Sequence, residues 1–167
     1  FYLDLRKARD FHKLGETPWT PPVSVIYALE AALDLYEEEG AQNVHERHHR
    51  NAEAIRTGFK ALGLDVFSQE RAHSPTVVAV KVPSGVEGAA IVKFMRERAG
   101  VVISGGQRDL KGKIWRFGTM GDISQTDILK AIGALEVALL ENAYQIGAGA
   151  GIRAALEIFL RPNLVPA

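Results

Sequence analysis

Ile103-Ser104-Gly105-Gly106-Gln107 and, seven residues on, Ile114-Trp115-Arg116-Phe117-Gly118 decide how this chain is read. The second stretch alternates as a strand does, with Trp115 and Phe117 on one face and Ile114 and Arg116 on the other. The aromatic pair marks the face toward helices. An arginine in mid-strand needs a partner, because an unpaired buried guanidinium is costly. Two outcomes satisfy it: an internal carboxylate forks the guanidinium, or the side chain stays free to clamp a ligand carboxylate bidentately. Glycines on both flanks, Gly105-Gly106 and Gly118, mark a place where chain or ligand approaches closely.

Working outward, Thr76–Val82 is a second strand, with Val78, Val80 and Val82 on one face. Leu64–Phe67 and Val101–Ser104 are shorter strand candidates. Thr20-Pro21-Pro22 reads as a helix start with Thr20 as cap. Ile26, Leu29, Leu33 and Tyr36 follow at helical spacing, and Gly40 ends the run. That helix carries more apolar surface than one stripe needs, which predicts an exposed patch. Gln42–Leu62 forms the next helix, with Val44, Ala52, Ile55 and Phe59 on its stripe. Ser84-Gly85-Val86-Glu87 fits a capping box ahead of Ala90, Ile91, Phe94 and Met95. Ser124 caps a last long helix bearing Ile128, Ile132, Leu135 and Leu139. Strands that arrive in close pairs between helices predict an α+β fold, a mostly antiparallel sheet with helices on one face.

The boundaries expected are an extended segment over 1–22, a compact domain over 23–141, and a flexible tail over 142–167 with a possible short helix. The glycines at 147, 149 and 151 resemble a dinucleotide loop only superficially, since a helix precedes them and no βαβ unit follows. They read as a flexible break. The cluster His45-Glu46-Arg47-His48-His49 lacks partners for a four-ligand metal site, and His48 falls within an apolar stripe. No metal site is expected.

The chain has 167 residues, 20 basic and 20 acidic, and no cysteine. Zero net charge argues against a nucleic acid or an anionic membrane surface as partner. The lack of cysteine excludes a disulfide scaffold, an iron–sulfur cluster and a thiol nucleophile. Neither a membrane-length apolar run nor a signal-like start is evident, so a cytoplasmic protein is expected. Phe1 opens the sequence, and Met95 and Met120 are its only methionines. This raises the expectation of a C-terminal piece of something longer.

The ordered set of motifs resembles the class V aminotransferases, pyridoxal-phosphate enzymes of fold type I, in their alanine–glyoxylate and serine–pyruvate branch. Thr17-Pro18-Trp19-Thr20-Pro21-Pro22, Glu46–Arg50, Ser74-Pro75-Thr76-Val77, Ile103–Gln107 and Leu110–Gly118 with Met120-Gly121 carry the resemblance, over about 2–140. It implies that Arg116 binds the α-carboxylate of the amino acid. It also implies that Thr20 contacts the cofactor phosphate of a neighbouring subunit, hence a homodimer. Thr17 stands at the position that supplies a second phosphate ligand in some relatives. The implied reaction moves an amino group between a small amino acid, alanine or serine, and a 2-keto acid, glyoxylate or pyruvate.

The family's Schiff-base lysine and the aspartate at the pyridine nitrogen belong to a large domain with no counterpart here. No catalytic residue is therefore expected in this chain, which alone is expected to be inactive. Two other readings stay open. One is the small domain of another fold type I enzyme, a desulfurase or lyase. The other is a non-enzymatic module for a small acid or for dimerisation, which predicts an internal carboxylate on Arg116.

Overall fold

The computed structural model describes residues 2–162, and it falls into two compact units divided between Ala41 and Gln42.

The first unit holds two helices, α1 (Leu5–His12) and α2 (Val23–Glu39). The first of these corrects the expectation of an extended segment over 1–22. Asp4 starts it by accepting the Arg6 amide at 3.0 Å, as an N-cap carboxylate does. Gly15, at φ 70°, turns the chain. Trp19 then packs on Tyr2, with ring centroids 5.0 Å apart. Thr20 does not cap α2. Pro22 holds the cap position, and its carbonyl accepts from Val25 and Ile26. Each proline disfavours a helical backbone at the residue before it, so the helix starts too late for the Thr20 hydroxyl to reach. The apolar surplus of α2 is exposed as expected: Val23, Val25, Ile26, Tyr27, Leu29 and Leu33 are all open, and none of its residues is buried.

The second unit runs α3 (Ala41–Ala61), β1 (Val77–Lys81), α4 (Gly88–Glu97), β2 (Ser104–Gly105), β3 (Ile114–Gly118), α5 (Gln125–Glu141) and α6 (Ala150–Phe159). The sheet order is β1-β3-β2, antiparallel throughout. This is the expected α+β fold. Val78 and Val80 pair with Phe117 and Trp115. These four side chains enter one core with Ile55 and Phe59 of α3, Ile91 and Met95 of α4, and Ile132 and Leu135 of α5. Phe59 meets Phe117 edge-on at 4.7 Å, a favoured aromatic geometry. The buried indole of Trp115 donates to the Gly88 carbonyl at 2.9 Å.

Three local expectations are corrected. Leu64–Phe67 makes a single bridge, Val66 to Val80, rather than a strand. The ladder of β2 begins only at Ser104, because the Val101 amide turns back to the Met95 carbonyl at the end of α4. Ser84 and Glu87 form no capping box. Gly85, at φ 84°, bends the chain between them, and Glu87 itself takes the cap position without a side-chain bond. The box forms at α5 instead, between Ser124 and Asp127.

The 142–167 stretch does carry a helix, and that helix belongs to the core through Ala155 and Ile158. The glycine run before it is held rather than loose. Glu136 accepts from the amides of Gly149, Gly151 and Ile152. Residues 163–167 of the expected tail lie outside the described residues.

Candidate functional site

Arg116 sits at the centre of β3, opposite Ala79 of β1 and Ser104 of β2. Direct cross-strand partners share a face, so the guanidinium emerges among small side chains on the sheet face away from the helices. It is half-buried. Its Nε donates to the Gly105 carbonyl at 3.0 Å. Among the described residues no carboxylate pairs with it, and its terminal nitrogens make no bond. The internal-carboxylate alternative therefore has no residue to supply it within 2–162. A positive fork with two outward nitrogens suits a carboxylate, which accepts two parallel N–H bonds in one plane.

The Gly105-Gly106 segment that holds Arg116 is itself tightly built. The Gly106 amide donates to the Ile114 carbonyl at 3.0 Å. A methyl group on Gly106 would stand 1.9 Å from the Leu110 carbonyl oxygen, so only glycine fits. Of the glycines flanking Arg116, Gly106 alone is closely approached, and by the chain itself, whereas a methyl on Gly105 or Gly118 would meet nothing within 4 Å. The acceptor role of Gly105 was not legible, because a backbone carbonyl carries no residue-type signal.

Thr17 and Thr20 lie together in the first unit, on the segment ahead of α2. The Thr17 hydroxyl donates to the Trp19 carbonyl at 2.6 Å. A hydroxyl has one proton, so Thr17 has none left for a phosphate while that bond stands. The Thr20 side chain is exposed and bonds to no described residue. Its proton is available, and its hydroxyl fits a phosphate oxygen.

His45 and His49 are exposed, whereas His48 is half-buried with an unpartnered Nε2. Among the described residues no three metal-ligating side chains converge. No helix among them is long and apolar enough to cross a membrane.

Known proteins share this architecture. The fold is that of the pyridoxal-phosphate aminotransferases of fold type I: the chain superimposes on the crystal structure of pyridoxamine–pyruvate aminotransferase from Mesorhizobium loti with a TM-score of 0.82 and 40% identity, over 85% of this chain and 37% of that one. The family described as Aminotransferase class-V matches over residues 13–116, and the chain belongs to that family. An uncharacterized aminotransferase of Methanocaldococcus jannaschii is 38% identical over 96% of this chain. Serine–glyoxylate aminotransferase of Methylorubrum extorquens is 34% identical over 97% of it. These matches run past 140, so the last helix is part of the likeness although the motifs had stopped short of it. The chain spans only 42% and 40% of the lengths of those two relatives.

Proposed function

We propose that this chain is the C-terminal part of a pyridoxal-phosphate-dependent aminotransferase that passes an amino group from a small amino acid to a 2-keto acid. The support is a mid-strand guanidinium whose terminal nitrogens have no partner among the described residues. Serine–glyoxylate, alanine–glyoxylate and pyridoxamine–pyruvate relatives favour glyoxylate or pyruvate as acceptor and serine or alanine as donor. Pyridoxal phosphate supplies the electron sink for such transfers. The residues of this chain bind and orient. Arg116 takes the carboxylate of each acid in turn and so fixes the position of the α-carbon. Thr20 donates to the cofactor phosphate, and in a homodimer that phosphate belongs to the partner subunit. The proton-moving lysine lies outside this chain, which alone does not transaminate.

The apolar surface of α2 agrees with this reading. A helix with this much apolar surface is normally covered, and the rest of the parent enzyme and its second copy would cover it.

The test is Arg116→Ala in the full-length parent. Loss of a bidentate, charge-assisted contact raises KM for amino acid and keto acid together, by roughly 100-fold. Wild-type constants for both would remove Arg116 from the site.

A further inference from the structure

We infer that the Gly105 carbonyl is a positioning group that commits Arg116 to bind carboxylates through its terminal nitrogens only, and that Gly106 holds this carbonyl in place. The inference rests on the carboxylate-clamp reading of Arg116 and adds to it which edge of the fork is used.

A guanidinium offers two edges with parallel donors. One is the side edge, Nε with the nearer terminal nitrogen. The other is the end edge, Nη1 with Nη2. Nε carries a single proton, and here that proton goes to the Gly105 carbonyl at 3.0 Å. The side edge is therefore incomplete, and the end edge alone has two free parallel N–H groups. The bond to Gly105 also removes a rotational freedom that a carboxylate would otherwise have to restrict on binding, so the fork is held before the ligand arrives.

The carbonyl owes its position to the next residue. The Gly106 amide is tied to the Ile114 carbonyl, two residues before Arg116 on the same strand. On its other side the chain passes so close that a Gly106 methyl would fall 1.9 Å from the Leu110 oxygen and 3.0 Å from Ile114 Cγ1. Backbone cannot yield there as a flexible side chain could. A substitution at 106 must move the 105–106 segment, and the acceptor of Nε moves with it. Ala79 carries no side-chain acceptor, the Ser104 hydroxyl makes no bond to Arg116, and no described carboxylate reaches it.

The experiment compares Gly106→Ala with Arg116→Ala in the full-length holoenzyme and adds a crystal structure of the wild-type enzyme with propanoate, a carboxylate that cannot react. Gly106→Ala is expected to raise KM for amino donor and keto acid together, roughly tenfold, with kcat little changed. A merely structural defect would do the reverse, lowering kcat through the active fraction and leaving KM alone. That result would overturn the positioning role. If Gly106→Ala does not fold, the propanoate complex decides. Propanoate on Nη1 and Nη2 with Nε still on Gly105 supports the inference. Propanoate on Nε with the Gly105 bond broken overturns it. Wild-type KM values in Arg116→Ala, or propanoate away from Arg116, would instead remove the clamp reading on which it rests.

Discussion

The carboxylate of Glu136 on α5 accepts the amide of Gly151 on α6 at 2.9 Å. The same oxygen takes the Ile152 amide at 3.1 Å, and the other oxygen takes the Gly149 amide at 2.6 Å. A helix N-terminus has free N–H groups and the positive end of the helix dipole. A buried carboxylate from a neighbouring helix therefore replaces the local cap that Gly149 cannot provide.

Glu136→Ala is accordingly expected to destabilise the second unit by about 3 kcal/mol, since it leaves buried amides without acceptors. Glu136→Gln is also expected to be destabilising, because its NH2 group would face an N–H donor. Urea unfolding of the three proteins checks this, and a glutamine variant as stable as wild type would show that the charge contributes nothing to the cap.

Gly151 and Gly147 look alike in the sequence but differ in the structure. A methyl on Gly151 would lie 2.9 Å from Glu136 Oε1 and 3.0 Å from Leu62 Cγ, whereas one on Gly147 meets only Ala150 Cβ at 3.6 Å. Gly151→Ala should cost about 2 kcal/mol through overpacking, and Gly147→Ala should be near neutral. Thermal midpoints of the two variants separate a packed contact from a flexible break; equal midpoints would leave the break.

The same residues show how far the sequence was legible. Ile114–Gly118 was read with its bounds and faces intact, because period-two alternation of aromatic and polar residues has one structural solution against helices. The Ser124 cap is legible because a hydroxyl residue stands just ahead of a periodic apolar run, whereas its capping box with Asp127 emerges only in the structure. Ser84 and Glu87 have the same spacing and form no box, since a left-handed glycine between them breaks the required geometry. The anchoring of α6 was missed because it depends on Glu136, thirteen to sixteen residues distant, and the Nε contact because its acceptor is backbone.

The capping box at α5 also makes an acid-dependent contribution. Bonds from the Ser124 hydroxyl and then its amide hold the Asp127 carboxyl below its ordinary range. A carboxyl depressed in the folded state stabilises fully above its unfolded pKa, roughly pH 4. The contribution fades as pH falls through the folded value. Asp127→Asn should therefore be less stable than wild type at pH 7, and the gap should narrow below about pH 4. Denaturation midpoints across this range check the sign. A gap that widens in acid would contradict the assignment.

Thr17 and Thr20 give the sharpest test of the cofactor contact, because their hydroxyl protons are differently committed. Thr20 is exposed and bonded to no described residue, whereas Thr17 spends its proton on the Trp19 carbonyl. If Thr20 contacts the phosphate as proposed, Thr20→Val in the full-length parent removes a hydrogen bond to a charged group and should weaken cofactor binding by roughly tenfold or more. Thr17→Val removes a bond inside the turn and should leave the cofactor affinity close to wild type. Titration of the apoenzyme with pyridoxal phosphate, followed by absorbance, measures both. A larger loss at Thr17 than at Thr20 would mean that the Trp19 bond breaks when the phosphate arrives and that Thr17 is the donor. If neither variant loses affinity, the phosphate contact lies outside this segment.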